Sequence, residues 1–237
     1  MINKHPDDSI QKVFLNNEDW WIKCDTGSIS RGCLIYAYIQ YYGQIPIELK
    51  AKRVDATNHT TATFEAKPLS AMGKPSMLEV LPVAPLPRLD GADCHLVHRA
   101  KKRPCLVLST IERPLINPAL TRGMSNYQTA NFFLVAPSYG VEESKRSGYR
   151  REFAERIKHA EYPQFFWDYL PHSGGEESIL RLDQIQPVGD HYHSYSETGY
   201  RLNDKALLIV DIWLNWLMTG EMDSNFAAFR ELFRDGK

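Results

Sequence analysis

Four short segments fix what this chain can become: Arg103 to Thr110 (RPCLVLST), Asn131 to Ala136 (NFFLVA), Gln164 to Leu170 (QFFWDYL) and Ser178 to Val188 (SILRLDQIQPV). Each is rich in β-branched and aromatic residues, and polar or turn-forming stretches separate them. Several short strands with polar turns fold into a barrel or a sandwich. Upstream, SRGCLIYAYIQYY from Ser30 has the composition of a further strand buried on at least one face. Two weaker strand candidates lie between Ile47 and Phe64. The expected fold is therefore mainly β with helices.

The remaining stretches mark the boundaries. Residues 1–27 read as a peripheral arm, docked by Trp20 and Trp21, because adjacent indoles are costly to leave in water. The segment from Leu69 to Pro87 carries Pro75, Pro82, Pro85 and Pro87 after Pro68, and proline removes ladder donors, so a surface connection is expected there. Arg150 to His159 (RREFAERIKH) spaces Phe153 and Ile157 four apart, which is one short amphipathic helix.

A longer helix starts at Lys205 under an Asn203 or Asp204 cap and ends at Gly220. Its apolar residues, Leu207 to Leu217, surround more than one face, so a second cover is needed: a partner subunit or another layer of the same chain. A last helix, Asn225 to Phe233, puts Phe226, Phe229 and Phe233 on one side.

Composition excludes some functions. Lys and Arg total 28 against 29 Asp and Glu, so no chain-wide field attracts a phosphate polymer, and any nucleic-acid affinity must be local. Cys24, Cys33, Cys94 and Cys105 show no CxxC or CxxH spacing, which points to reduced structural thiols. His191 and His193 sit two apart without an evident third ligand, and no metal or cofactor is expected. The first residues carry no apolar run and the most apolar window is too short to span a bilayer, so the cytoplasm is the expected compartment, with no membrane partner.

Three of these pieces in order, RGCLIYAYI from Arg31, RPCLVLS from Arg103 and ESILRLDQIQPV from Glu177 followed by a helix, resemble the PemK and MazF family of ribonuclease toxins. In that family an Arg-Gly first strand leads through a loop to an Arg-Pro strand, then to a strand ending in Ser or Thr, then to a D/E-Q-I strand and a helix. The resemblance implies a small SH3-like antiparallel β barrel over 28–220 plus a C-terminal helix over 221–237. It also implies metal-independent cleavage of single-stranded RNA by a homodimer, with an antitoxin protein as a possible partner.

Carried over by position, the family's catalytic arginine falls on Arg103 and its strand-end hydroxyl on Ser138. Three departures stand out: an insertion over 40–92, a helical insertion over 142–160, and Lys101 and Lys102 where the family has a glycine.

The chemistry asks for these residue types. Cleavage through the ribose 2′-hydroxyl needs proton transfer and a cation for the charge that builds on phosphorus. A guanidinium holds phosphate oxygens in a planar fork. His98, with His95, is the candidate proton-transfer group, since imidazole titrates near neutrality. The run HRAKKR supplies Arg99, Lys101 and Lys102 for phosphate contact, while Tyr139, Tyr149 and Tyr127 are candidates for base stacking. Asp183 is read as structural, orienting a neighbouring loop. A noncatalytic nucleic-acid or protein binding module of the same fold is the alternative, and a purely protein-binding role through the exposed helix is the third.

Overall fold

The computed structural model describes residues 5–15, 18–69, 83, 86, 94–111, 119, 122–123, 131–142, 147–173, 176–191 and 193–235, the side chains of 232–235 excepted. The chain divides into two compact units, residues 1–38 with 102–237, and residues 39–101.

The larger unit is built on an antiparallel sheet. Its strands are β1 (Trp21–Lys23), β2 (Cys33–Gln40), β6 (Ala100–Ile111), β7 (Phe132–Gly140), β8 (Phe165–Leu170), β9 (Glu176–Arg181), β10 (Gln186–Gly189) and β11 (Tyr195–Leu202). The path runs β1-β11-β2-β6-β7-β9-β8, with β10 also on β7. Three of the four segments that defined the sequence pattern lie in single strands, and the fourth, Ser178 to Val188, divides into the end of β9, a turn at Leu182–Gln184 and β10. The class is mainly β with helices, as the segments require, but among the described residues the path does not close into a barrel: it starts at β1 and stops at β8.

One strand explains the shape of the path. β7 pairs with β6 along one edge and divides its other edge, giving Phe132–Val135 to β10 and Ser138–Gly140 to β9. The single turn Leu182–Gln184 joins those two partners.

Helices cover both faces. On one face α3 (Asp204–Thr219) buries Ala206, Ile209, Val210 and Trp213 against Trp20, Leu34, Leu106, Ala136, Phe166 and Leu180. Asn203 is its cap, accepting from the Ala206 N–H at 2.7 Å, and Gly220 closes it at φ 75°, a left-handed conformation that glycine adopts without strain. On the opposite face α2 (Arg151–Lys158) buries Ala154 and Ile157 against Val141, Trp167 and Ile179.

Part of the second cover that α3 needs comes from the chain itself. In α4 (Ser224–Asp235) Phe226 packs edge-on to Trp213 at 5.3 Å, and Arg230 lies 4.2 Å over the Trp216 ring. The N-terminal helix α1 (Ile10–Leu15) adds Phe14 against Phe226 and Phe229. Leu208 and Met218 stay exposed. The Phe233 side chain lies outside the described residues.

The first 27 residues are more than a peripheral arm, because β1 is a sheet strand paired to β11. Trp20 and Trp21 are 1% and 3% exposed, and both indoles donate to Asp168, at 3.0 and 3.1 Å.

The smaller unit holds a three-stranded sheet, β4 (Ala62–Pro68), β3 (Ile47–Arg53) and β5 (His95–Val97), in the order β4-β3-β5. The β3–β4 connection is organised by its own polar side chains: Asp55 accepts from the Thr57 N–H at 2.8 Å and Asn58 from the Thr60 N–H at 2.9 Å. The insertion expected at 40–92 thus carries strands and belongs to a unit reaching residue 101. Of its proline-rich part, 70–82, 84–85 and 87–93 lie outside the described residues.

Candidate functional site

The register of β6 on β7 decides which side chains meet. Cys105 opposes Pro137, so one pleat along the same ladder Arg103 opposes Tyr139. Directly opposed residues share a face, and the Arg103 guanidinium lies 3.7 Å from the Tyr139 ring centroid. A second guanidinium, Arg181 at the end of β9, is 5.7 Å from the same ring and 4.9 Å over Phe165.

Arg181 is held through all three of its guanidinium nitrogens. Its Nε and one terminal nitrogen fork onto Asp183 at 2.7 and 2.6 Å, and its other terminal nitrogen donates to the Tyr149 hydroxyl. Burial pulls its pKa down, but the Asp183 hydrogen bond and the Tyr149 and Asp183 charges outweigh that, and the net effect is to raise it. The planar fork makes this a bidentate contact that a lysine cannot reproduce. Asp183, expected to orient a loop, instead fixes an arginine. The Tyr139 hydroxyl in turn donates to the Gln184 side-chain oxygen.

Tyr149 reaches Arg181 because its backbone is pinned to β7. Its N–H donates to Gly140 O at 3.0 Å, and Glu142 N–H donates to Tyr149 O at 2.7 Å. The approach requires Gly148, where a Cβ would stand 2.2 Å from Gly140 O.

The other sequence candidates fall elsewhere. Ser138 is 4% exposed and lines an internal cavity with Trp20, Trp21, Leu106, Phe166 and Asp168. The two-residue pleat turns it to the face opposite Arg103, so the strand-end hydroxyl that shares Arg103's face is that of Tyr139. His98 belongs to the smaller unit, edge-on to Tyr42 at 5.9 Å with its Nδ1 buried. Arg99 and Lys101 belong to that unit as well, Arg99 lying 5.2 Å over the Tyr41 ring and Lys101 exposed. Lys102, in the larger unit, stands 5.8 Å over Tyr36. Tyr127 lies outside the described residues.

Arg31, in the first piece of the resemblance, is tied to the scaffold: its Nε donates to Leu108 O at 3.0 Å and a terminal nitrogen to Asp211 of α3. Sequence reasoning named Tyr149 as a stacking candidate, and the structure sets it beside Tyr139, but it missed Arg181 and Gln184, which meet the same Tyr139 side chain. Period-two alternation was the available signal, since it places 179, 181, 139 and 103 on one face once the strands are registered.

A second polar cluster went unread. Asp168, 6% exposed, accepts from His5 Nε2 at 2.8 Å, from both indoles and from the Tyr169 N–H at 2.7 Å. Burial raises its pKa, against the lowering effect of the His5 hydrogen bond. This carboxylate ties the N-terminal residues to β8.

Among the described residues no group of three or more His, Cys, Asp and Glu is placed to hold a metal ion, and no helix is long and apolar enough to cross a membrane. No family model, no curated protein and no solved structure matches the chain.

Proposed function

We propose that the chain binds single-stranded RNA through the Arg103–Tyr139–Arg181 face, as a noncatalytic module on a PemK/MazF-type, SH3-like scaffold. The observation that carries this reading is the split between consecutive residues of β7. Tyr139 presents an aromatic ring beside two guanidiniums, whereas the Ser138 hydroxyl is turned into the core. A guanidinium stacked on a tyrosine ring suits a phosphate through its N–H edge and an unpaired base through its outer plane, the two features every single strand offers.

Metal-independent cleavage is the second reading, favoured by one observation: a hydroxyl, that of Tyr139, does stand on Arg103's face. In that reading the ribose 2′-hydroxyl attacks phosphorus and gives its proton to water, Arg103 stabilises the phosphorane, and the bond to the 5′-oxygen breaks as that oxygen takes a proton from the Tyr139 hydroxyl, which water restores.

Both readings are tested by incubating the protein with labelled unstructured RNA in EDTA while following anisotropy and fragment ends. Arg103→Ala should weaken binding about tenfold or more, on the order of 1–3 kcal/mol. Intact RNA with wild type supports the binding module. Fragments ending in 2′,3′-cyclic phosphate that disappear in Arg103→Ala replace it with the nuclease. Unchanged binding by Arg103→Ala would remove the site altogether.

A further inference from the structure

Lys102 and Arg103 are consecutive on β6, so the pleat sends them to opposite faces, and each stands over a tyrosine: Arg103 over Tyr139, Lys102 over Tyr36 of β2. The Lys102 side has a third member. His172, in the turn Pro171–Ser173 after β8, packs edge-on to the Tyr36 ring at 5.0 Å and 82°.

His172 carries an unusual feature: its Nδ1 is buried and has no hydrogen-bond partner among the described residues. A buried N–H left unpaired loses a strong donor, whereas an imidazole lone pair left unpaired costs less. The proton therefore belongs on Nε2. Burial also lowers the His172 pKa, with Glu176 opposing, which keeps the ring neutral. Burial, reinforced by Glu176, raises the Tyr36 pKa and keeps the phenol protonated. Around one tyrosine ring this corner thus gathers three donors: an ammonium, an imidazole Nε2–H and a phenol.

We propose that Lys102, Tyr36 and His172 form a second phosphodiester subsite, on the sheet face opposite Arg103, for the same single-stranded RNA. It rests on the RNA-binding reading above. With it, a strand would cross the end of β6 and be held on both sides, which one cation–tyrosine pair does not provide. Glu176 is the group that opposes an anion here, and removing its charge should tighten binding.

The test measures anisotropy of labelled oligouridylate as a function of salt, with near-UV circular dichroism to confirm folding of each variant. His172→Phe should weaken binding about five- to tenfold, and His172→Gln, which returns an N–H donor, should recover most of it. Lys102→Met should weaken binding and reduce the slope of log affinity against log salt by about 0.7, the loss of one phosphate contact on a single strand. Glu176→Gln should bind more tightly than wild type.

Wild-type affinity and salt slope in both His172→Phe and Lys102→Met, alongside a loss in Arg103→Ala, would sink the subsite and leave the main face standing. No RNA binding by the wild-type protein would sink both. Should His172→Phe fail to fold, the Lys102→Met slope decides.

Discussion

The two faces of β7 offer a direct comparison, because Ser138 and Tyr139 are neighbours in sequence and opposites in environment. On the Ser138 face lie Leu106, Ala136, Phe166, Leu180 and Trp213, closed over by α3. On the Tyr139 face two arginines, two tyrosines, a glutamine and an aspartate contact one another where β6, β7 and β9 end, at partly exposed positions. The polar groups on the second face are only partly buried, and the desolvation of Arg181 is offset by its bonds to Asp183 and Tyr149. The buried carboxylate on the first face, Asp168, has four donors. Both faces of the sheet carry buried core, under α3 on one side and α2 on the other; what differs along β7 is that Tyr139 stands in a polar network beside its core, whereas Ser138 is enclosed by mostly apolar packing.

The sharpest way to break the comparison is to damage the first face alone. Trp213 is 1% exposed, packs edge-on to Phe166 at 5.1 Å and donates its indole N–H to Phe165 O at 3.0 Å. Trp213→Ala should cost about 3–5 kcal/mol, read as a fall in the urea midpoint. The fraction still folded should bind RNA with wild-type affinity. A loss of affinity in the folded fraction would show that the faces are coupled.

Next in size is Asp168→Asn, which should cost about 1–3 kcal/mol near neutral pH, because an amide cannot satisfy every donor that the carboxyl group accepts. Its pH dependence has a defined sign. The folded pKa of Asp168 lies above its unfolded value, so its contribution is fully present below the unfolded pKa and is lost as pH rises through the folded one. The wild-type advantage over Asp168→Asn should therefore be largest in acid and shrink toward alkaline pH. Urea midpoints of both proteins across that range check it, and a gap that widens with pH would reverse the assignment.

Legibility in the sequence followed the same division. β2, β6, β7, β8, the α3 caps and the short helix α2 were readable because hydrophobic period, capping chemistry and β-branched composition are local signals, whereas β1, β5 and β11 were not assigned as strands. Docking of Trp20 and Trp21 was readable from the cost of exposing indoles, but their acceptor was not: Asp168 is 148 residues from Trp20, and nothing local links them.

Closure of the sheet was not readable either, because whether β1 meets β8 depends on how β7 divides its edge between β9 and β10. In the site, Arg103 was chosen from motif order and Ser138 from its place at a strand end. Which of residues 138 and 139 faces Arg103 is a question of register, and a one-residue difference exchanges the faces. Arg181 was hidden because its role depends on Asp183 and Tyr149, and the second of these is brought in by the close backbone approach at Gly148.

That one-residue difference yields the smallest and most diagnostic prediction. Ser138→Ala removes a hydroxyl from an apolar pocket and should change stability by less than about 1 kcal/mol, with RNA affinity untouched. Tyr139→Phe keeps the ring under Arg103 and deletes the hydroxyl that donates to Gln184. It should retain binding within about threefold, since stacking and charge carry that interaction. Side by side, the pair isolates the hydroxyl from the ring. If the chain cleaves RNA, Tyr139→Phe should lose cleavage while keeping affinity, and Ser138→Ala should lose neither. An affinity loss in Ser138→Ala larger than in Tyr139→Phe would mean that the ligand enters from the buried face, and the register argument would then fail at its root.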